Sequence, residues 1–280
     1  MAQTLELYQS LWAMEDRIPG QAEQPKAVHL KRIADAGYTG ACLDPNVSEI
    51  EDSLKLKPLF EELGLKCMVN AFPHSADSLE PLLEMSAELQ ATQVNIIAEV
   101  MPLTPAEAVP IIDDWLALAS DYPFPVLMET HRNSTLNDLF YTLEILKRVP
   151  QLRLCADLSH FVVDRELQLP LSAVDAAYFS TVIERSDSFQ GRISNNQQIQ
   201  IPIEFEQHAL WVAQYFEWWR QGFNAWSARS GPNDTLRFLV ELGPPPYAIT
   251  DGTQRELSNR WDEALLIHDR IQAIWAAIPD

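Results

Sequence analysis

Residues 125–161 read PVLMETHRNSTLNDLFYTLEILKRVPQLRLCADLSHF. Two short β-rich runs, PVLME at 125–129 and LRLCAD at 152–157, flank a stretch at 135–148 whose apolar residues recur at helical spacing. The same alternation extends over the whole chain. Six further β-rich runs stand at 5–12 (LELYQSLW), 39–43 (TGACL), 66–70 (KCMVN), 93–98 (QVNIIA), 177–183 (AYFSTVI) and 236–241 (LRFLVE). Helix-like segments lie between them at 24–36, 49–63, 78–89, 104–120 and 204–221. Eight β-then-α units in 280 residues predict the α/β class and a single (β/α)8 TIM barrel over residues 1–280, close to the typical barrel size of roughly 250. A doubly wound open sheet is the alternative, and its GxGxxG signature after the first strand is missing. The punctuation agrees, with Gly37 and Gly64 where left-handed C-caps are wanted and Thr104-Pro105 opening a helix.

The chain is 47% hydrophobic, ample for a buried core, which excludes disordered and collagen-like classes. Its 40 acidic side chains outnumber 20 basic ones, a net charge of −20. No Lys/Arg cluster is present to neutralise phosphates, so neither nucleic acid nor anionic membrane is expected as a partner. Cys42, Cys67 and Cys155 each sit in an apolar run at spacings that suit neither a zinc site nor a disulfide framework. They read as reduced, buried thiols. With no basic n-region at the start and no run of ~18 apolar residues, a cytoplasmic location is expected.

In such a barrel, polar residues at the C-terminal ends of strands point into a common site. Glu129 ends the fifth run, Asp157 the sixth and Glu241 the eighth. Buried carboxylates of this kind are costly unless paired with a cation. One alternative is that each caps the helix that follows or pairs with Arg132 or Arg153. The amide-rich connection at 184–203 is unusually long, which marks it as functional or disordered.

The combination of MET-HR around Glu129, CADLSHF around Asp157 and VELGPPPY around Glu241 resembles the xylose isomerase-like TIM barrels of the sugar phosphate isomerase/epimerase superfamily. The resemblance implies a divalent ion, Mn, Mg, Co or Zn, held by Glu, Asp, His and Glu at four strand ends, with Glu129, Asp157 and Glu241 as three of the ligands. It also implies that His160 binds substrate. The family histidine at the end of strand seven is missing, and the reading places Ile183 there, with Arg185 as the family's nearby arginine. Three outcomes stay open. Water or Glu184 completes the shell of an oxygen-preferring ion, His131 or His160 moves in, or the metal is lost. The endonuclease branch is excluded by six histidines in all and by the net charge.

With a metal, Glu129 and Glu241 would pass a proton through an enediolate, making the protein an isomerase or epimerase of a small polyhydroxylated carbonyl compound. His160, His131, Arg185 and Arg192 would hold substrate groups, and Trp12 would wall the pocket. The alternatives are a silent or metal-free barrel that binds a ligand or partner, and a lyase or dehydratase with a revised site. Asp44 and Asn46, in DPN, read as turn formers. His74 is placed either facing the site or away from it, and Glu99 reads as a solvated loop position. His29, His208 and His268 read as surface residues. Trp211, Tyr215 and Trp218 share one helical face and Trp219 lies about 100° away; a core role for the stretch is the favoured reading, and an exposed Trp219 contact in a homodimer is the alternative.

Overall fold

The structure, a computed structural model, describes residues 2–278. Eight strands, β1 (Thr4–Ser10), β2 (Gly40–Leu43), β3 (Lys66–Ala71), β4 (Val94–Ile96), β5 (Val126–Glu129), β6 (Leu154–Ala156), β7 (Ser186–Gln190) and β8 (Thr235–Val240), close into one parallel barrel in sequence order. β8 completes the ring by pairing with β1 from Thr4↔Thr235 to Gln9↔Val240. Helices fill the crossovers and wrap the outside, as the alternation predicts. No described helix is long and apolar enough to cross a membrane.

The period-two geometry of strands divides each one between two environments. One set of side chains joins the apolar layer under the helices. The other fills the barrel, where Tyr8, Cys42, Met68 and Leu239 make a plug at mid-height. Below the plug, Glu6 pairs with Lys66 and Arg237. Above it, the interior turns polar, with Gln93, Asn95, Asn70 and Asp44 linked in a hydrogen-bonded chain. The plug therefore forms the floor of whatever site lies at the C-terminal end. All three cysteines are free and buried.

The expected punctuation is in place. Gly37 and Gly64 adopt φ of +82° and +66°, and Thr104 caps the helix Pro105–Ala119 in a box with Glu107. The segment at 49–63 splits into Ile50–Leu54 and Lys57–Leu63, because Pro58 has no N–H to bond back to the preceding turn.

Strand seven is the main correction. Residues 177–183 belong to the helix Ala173–Glu184, capped by Ser172, with Phe179, Val182 and Ile183 on its buried face. The strand is the next segment, SDSFQ, at Ser186–Gln190. Ile183 therefore stands in a helix under the barrel wall and not at a strand end. Trp219 takes the core role: it is 0% exposed, packed edge-on against Phe238 and Phe216. The alternative of an exposed homodimer contact at Trp219 loses its basis. His29, His208 and His268 are likewise buried among the outer helices rather than on the surface.

Candidate active site

Glu129 is the last residue of β5, and Asp157 and Glu241 directly follow β6 and β8. Ligand oxygens from the three lie within 4.8 Å of one another, and all three residues are buried. Asp157 also caps the helix Leu158–Asp164, accepting from the Ser159 amide at 2.9 Å. The capping and site readings of that residue are thus both true. Above the cluster opens a cavity of about 590 Å³, walled by Trp12, Asp44, His131, Arg192 and Tyr247 as well as Glu129 and Glu241.

Gly191 launches the loop that carries Arg192. Its amide donates to the Leu239 carbonyl at 2.6 Å, and a Cβ there would stand 2.6 Å from the Phe238 ring. The loop then turns inward. Arg192 is 2% exposed and donates from Nε to Asp157 Oδ2 at 3.1 Å and from Nη2 to Glu241 Oε2 at 2.9 Å. Nη1 donates to Gln200 Oε1 at 3.1 Å, and Gln200 in turn bonds both the amide and the carbonyl of Gly243. The guanidinium stacks 4.7 Å from the Tyr247 ring, which meets Trp12 edge-on at 5.3 Å.

The electrostatics follow from burial. Glu129 is pushed well up, first by burial and then by the neighbouring Glu241 and Asp157 charges. Burial lifts Glu241 to about 8 against the opposing pull of Arg192. Asp44, half-buried at the cavity wall and bonded by Asn70 at 2.9 Å, rises to about 7, chiefly by desolvation. Burial acts upward on Asp157 as well, but His160, Arg192 and Ser159 together outweigh it and hold this carboxylate low. His160 Nε2 lies 3.4 Å from Asp157 Oδ2, and its ring packs 4.1 Å from His131. Burial keeps both imidazoles below their ordinary range.

The residues expected at the site divide accordingly. Glu129, Asp157, Glu241, His160, His131, Arg192 and Trp12 converge. Arg185 does not: it precedes β7, at the opposite end of the barrel, and its guanidinium donates to the carbonyls of Leu146, Val149, Pro150 and Leu152. His74 and Glu99 line the cavity from exposed loop positions. His160 is buried beneath the wall, packed on His131 and Asp157. Four residues escaped the sequence reading. Gln190, Gln200 and Tyr247 carry no sequence signal that singles them out, and Asp44 reads as a turn former. The end of an apolar run, GACLD, was the signal for Asp44.

The donor set suits a divalent cation. Glu129 Oε1 is buried without a partner, and four carboxylates, Asp44, Glu129, Asp157 and Glu241, face one buried guanidinium. A bound cation would let the raised carboxylates ionise and would give the unpaired oxygen a partner.

No family model matches the sequence, and no curated protein is recognisably similar to it. Solved structures share its fold. D-allulose 3-epimerase from Methylomonas sp., in complex with D-allulose, superposes with a TM-score of 0.59 at 14% identity, over 98% of this chain and 99% of that one. D-psicose 3-epimerase in the presence of D-fructose gives 0.57 at 13%, over 96% of both. A sugar phosphate isomerase/epimerase from Parabacteroides distasonis gives 0.58 at 10%, over 99% and 96%. The resemblance drawn from the strand-end carboxylates holds at the level of the fold, which is that of sugar epimerases and isomerases.

Proposed function

We propose that the chain is a cytoplasmic, divalent-metal-dependent isomerase or epimerase of a small polyhydroxylated carbonyl compound. The observation that carries this reading is the pair of buried glutamates, Glu129 from β5 and Glu241 after β8, meeting under an open cavity. Two carboxyls so close in a dry site do not ionise together cheaply, so their proton affinities rise into the range where one can take a proton and the other give one. That supplies a base and an acid from one pair. The base removes the proton next to the substrate carbonyl. The acid returns one to the opposite face of the same carbon, which epimerises it, or to its neighbour, which isomerises the sugar.

A bound divalent ion, held by Glu129, Asp157 and Glu241, would stabilise negative charge developing on the substrate oxygens. Arg192 donates hydrogen bonds at the edge of the cavity and fixes the geometry of Asp157 and Glu241. Trp12 and Tyr247 offer apolar faces to the ring or chain carbons of a sugar, and His131 and Asp44 offer polar atoms to its hydroxyls.

Proton exchange tests the reading directly. Incubated with a ketose panel in deuterium oxide and Mn, the protein is expected to incorporate deuterium next to the carbonyl. Glu129→Gln and Glu241→Gln should each lose about 10²-fold or more. Absence of exchange with every ketose, in protein that carries its metal, refutes the proton-transfer role.

A further inference from the structure

Gln190 is the last residue of β7 and is 1% exposed. It sits opposite Leu239 of β8, a member of the interior plug, in the ladder. Its amide nitrogen donates to Glu129 Oε2, reaching across from β7 to β5. With Glu129 ionised, as a metal ligand is, the reverse orientation of the amide would set two acceptor oxygens against each other. This leaves two buried oxygens without a donor, Gln190 Oε1 and Glu129 Oε1. A buried acceptor left unpaired costs about 1–3 kcal/mol, and two on directly bonded side chains define one unfilled requirement. Water could meet the hydrogen-bonding part of it. The excess of carboxylates over the single guanidinium is met either by protons on the raised glutamates or by a bound cation, and the cation would serve the unpaired oxygens as well.

We infer that Gln190 supplies a neutral amide oxygen to the cation held by Glu129, Asp157 and Glu241, making this an all-oxygen site selective for hard divalent ions, Mg or Mn. The inference rests on the metal reading of that site. Among the described residues the clustered ligand atoms are carboxylate oxygens only, and no imidazole or thiol joins them. Mg and Mn accept carboxylate, amide and water oxygens readily, whereas Zn and Co gain most from nitrogen and sulfur donors. A site of this composition forgoes the donors that make zinc sites tight.

The test is direct metal binding to the chelator-stripped full-length protein, followed by the loss of the free Mn signal in electron paramagnetic resonance, with Mg, Zn and Co as competitors. Wild type should bind about one Mn, and Zn should displace it at no less than roughly one-hundredth the Mn concentration. Gln190→Leu should weaken Mn binding about 10-fold or more, whereas Gln190→Glu, which keeps an oxygen, should retain it. Gln190→His should move the preference toward Zn and Co by about 10-fold or more. Circular dichroism melts of each variant verify folding. Unchanged Mn affinity in a folded Gln190→Leu, or a wild-type preference for Zn above about 100-fold, overturns the role of Gln190 and leaves the metal reading standing. Failure of wild type to bind any of the four ions overturns both.

Discussion

Replacing Arg192 by Met removes the one cation buried among the site carboxylates while keeping most of the side-chain volume. The guanidinium is 2% exposed and holds Asp157 and Glu241 at 3.1 and 2.9 Å. Losing one partner of a buried pair costs about 3–5 kcal/mol, because the other charge is left uncompensated. The two carboxylates respond differently. Glu241 already sits at about 8 with Arg192 in place, so without it the group stays protonated at pH 7 and adds little. Asp157 is the carboxylate held low, and it keeps its charge with only His160 and Ser159 for company. The expected loss therefore lies near the lower figure, about 3 kcal/mol. With an unfolding entropy near 2.1 cal/mol/K per residue, that is a fall in Tm of about 5 °C for a chain of this length. Guanidinium chloride unfolding of chelator-treated protein at pH 7 measures it, with Arg192→Met/Asp157→Asn alongside. The double variant should recover part of the loss, since the stranded charge is gone. A single variant within about 1 kcal/mol of wild type, or a double variant no better than the single, refutes the argument that Arg192 neutralises buried charge.

Stability of the metal-free protein should fall between about pH 7.5 and 8.5. There the carboxylates of the unfolded chain have lost their protons and its histidines nearly all of theirs, while folded Glu129, Glu241 at about 8 and part of Asp44 at about 7 still hold theirs. Raised folded pKa values give stability that is present at low pH and lost as pH rises through them, at up to about 1.4 kcal/mol per pH unit for each proton held. Glu263, at about 7 outside the site, adds with the same sign. Thermal melts in chelator should show this slope, and Glu129→Gln should flatten it; equal slopes in the two proteins would remove the site as its source. Arg185→Met should cost about 1–3 kcal/mol through the carbonyls it leaves unpaired, yet leave Mn affinity unchanged. Weakened Mn binding in a folded Arg185→Met would contradict its placement at the far end of the barrel.

The contrast between the two arginines shows where the sequence was legible. β5, β6 and β8 are apolar runs that end in or beside a carboxylate, PVLME, LRLCAD and LRFLVE, and for such strands both the element and its terminal residue can be read from composition. β7 is SDSFQ. Its Ser186, Ser188 and Gln190 are buried yet polar, bonding to the carbonyls of Val182 and Arg237 and to the Glu129 carboxylate. Its Asp187 is paid for by Arg153 and Arg229, at 2.7 Å each. Only Phe189 presents the apolar surface that propensity detects, packed over Gly222 of the helix Ala209–Arg229. The helix before it carries Tyr178, Phe179, Thr181, Val182 and Ile183, residues that favour strands, and tertiary packing overrides that preference. The counter-signal was present: Ser172 with Asp175 three residues on, then burial at 179, 182 and 183, which is helical spacing. Read that way, the strand shifts to 186–190, Arg185 falls to its entrance, and Gln190 arrives at its exit beside Glu129. The polarity that hid the strand is thus the same property that sets an amide against the Glu129 carboxylate.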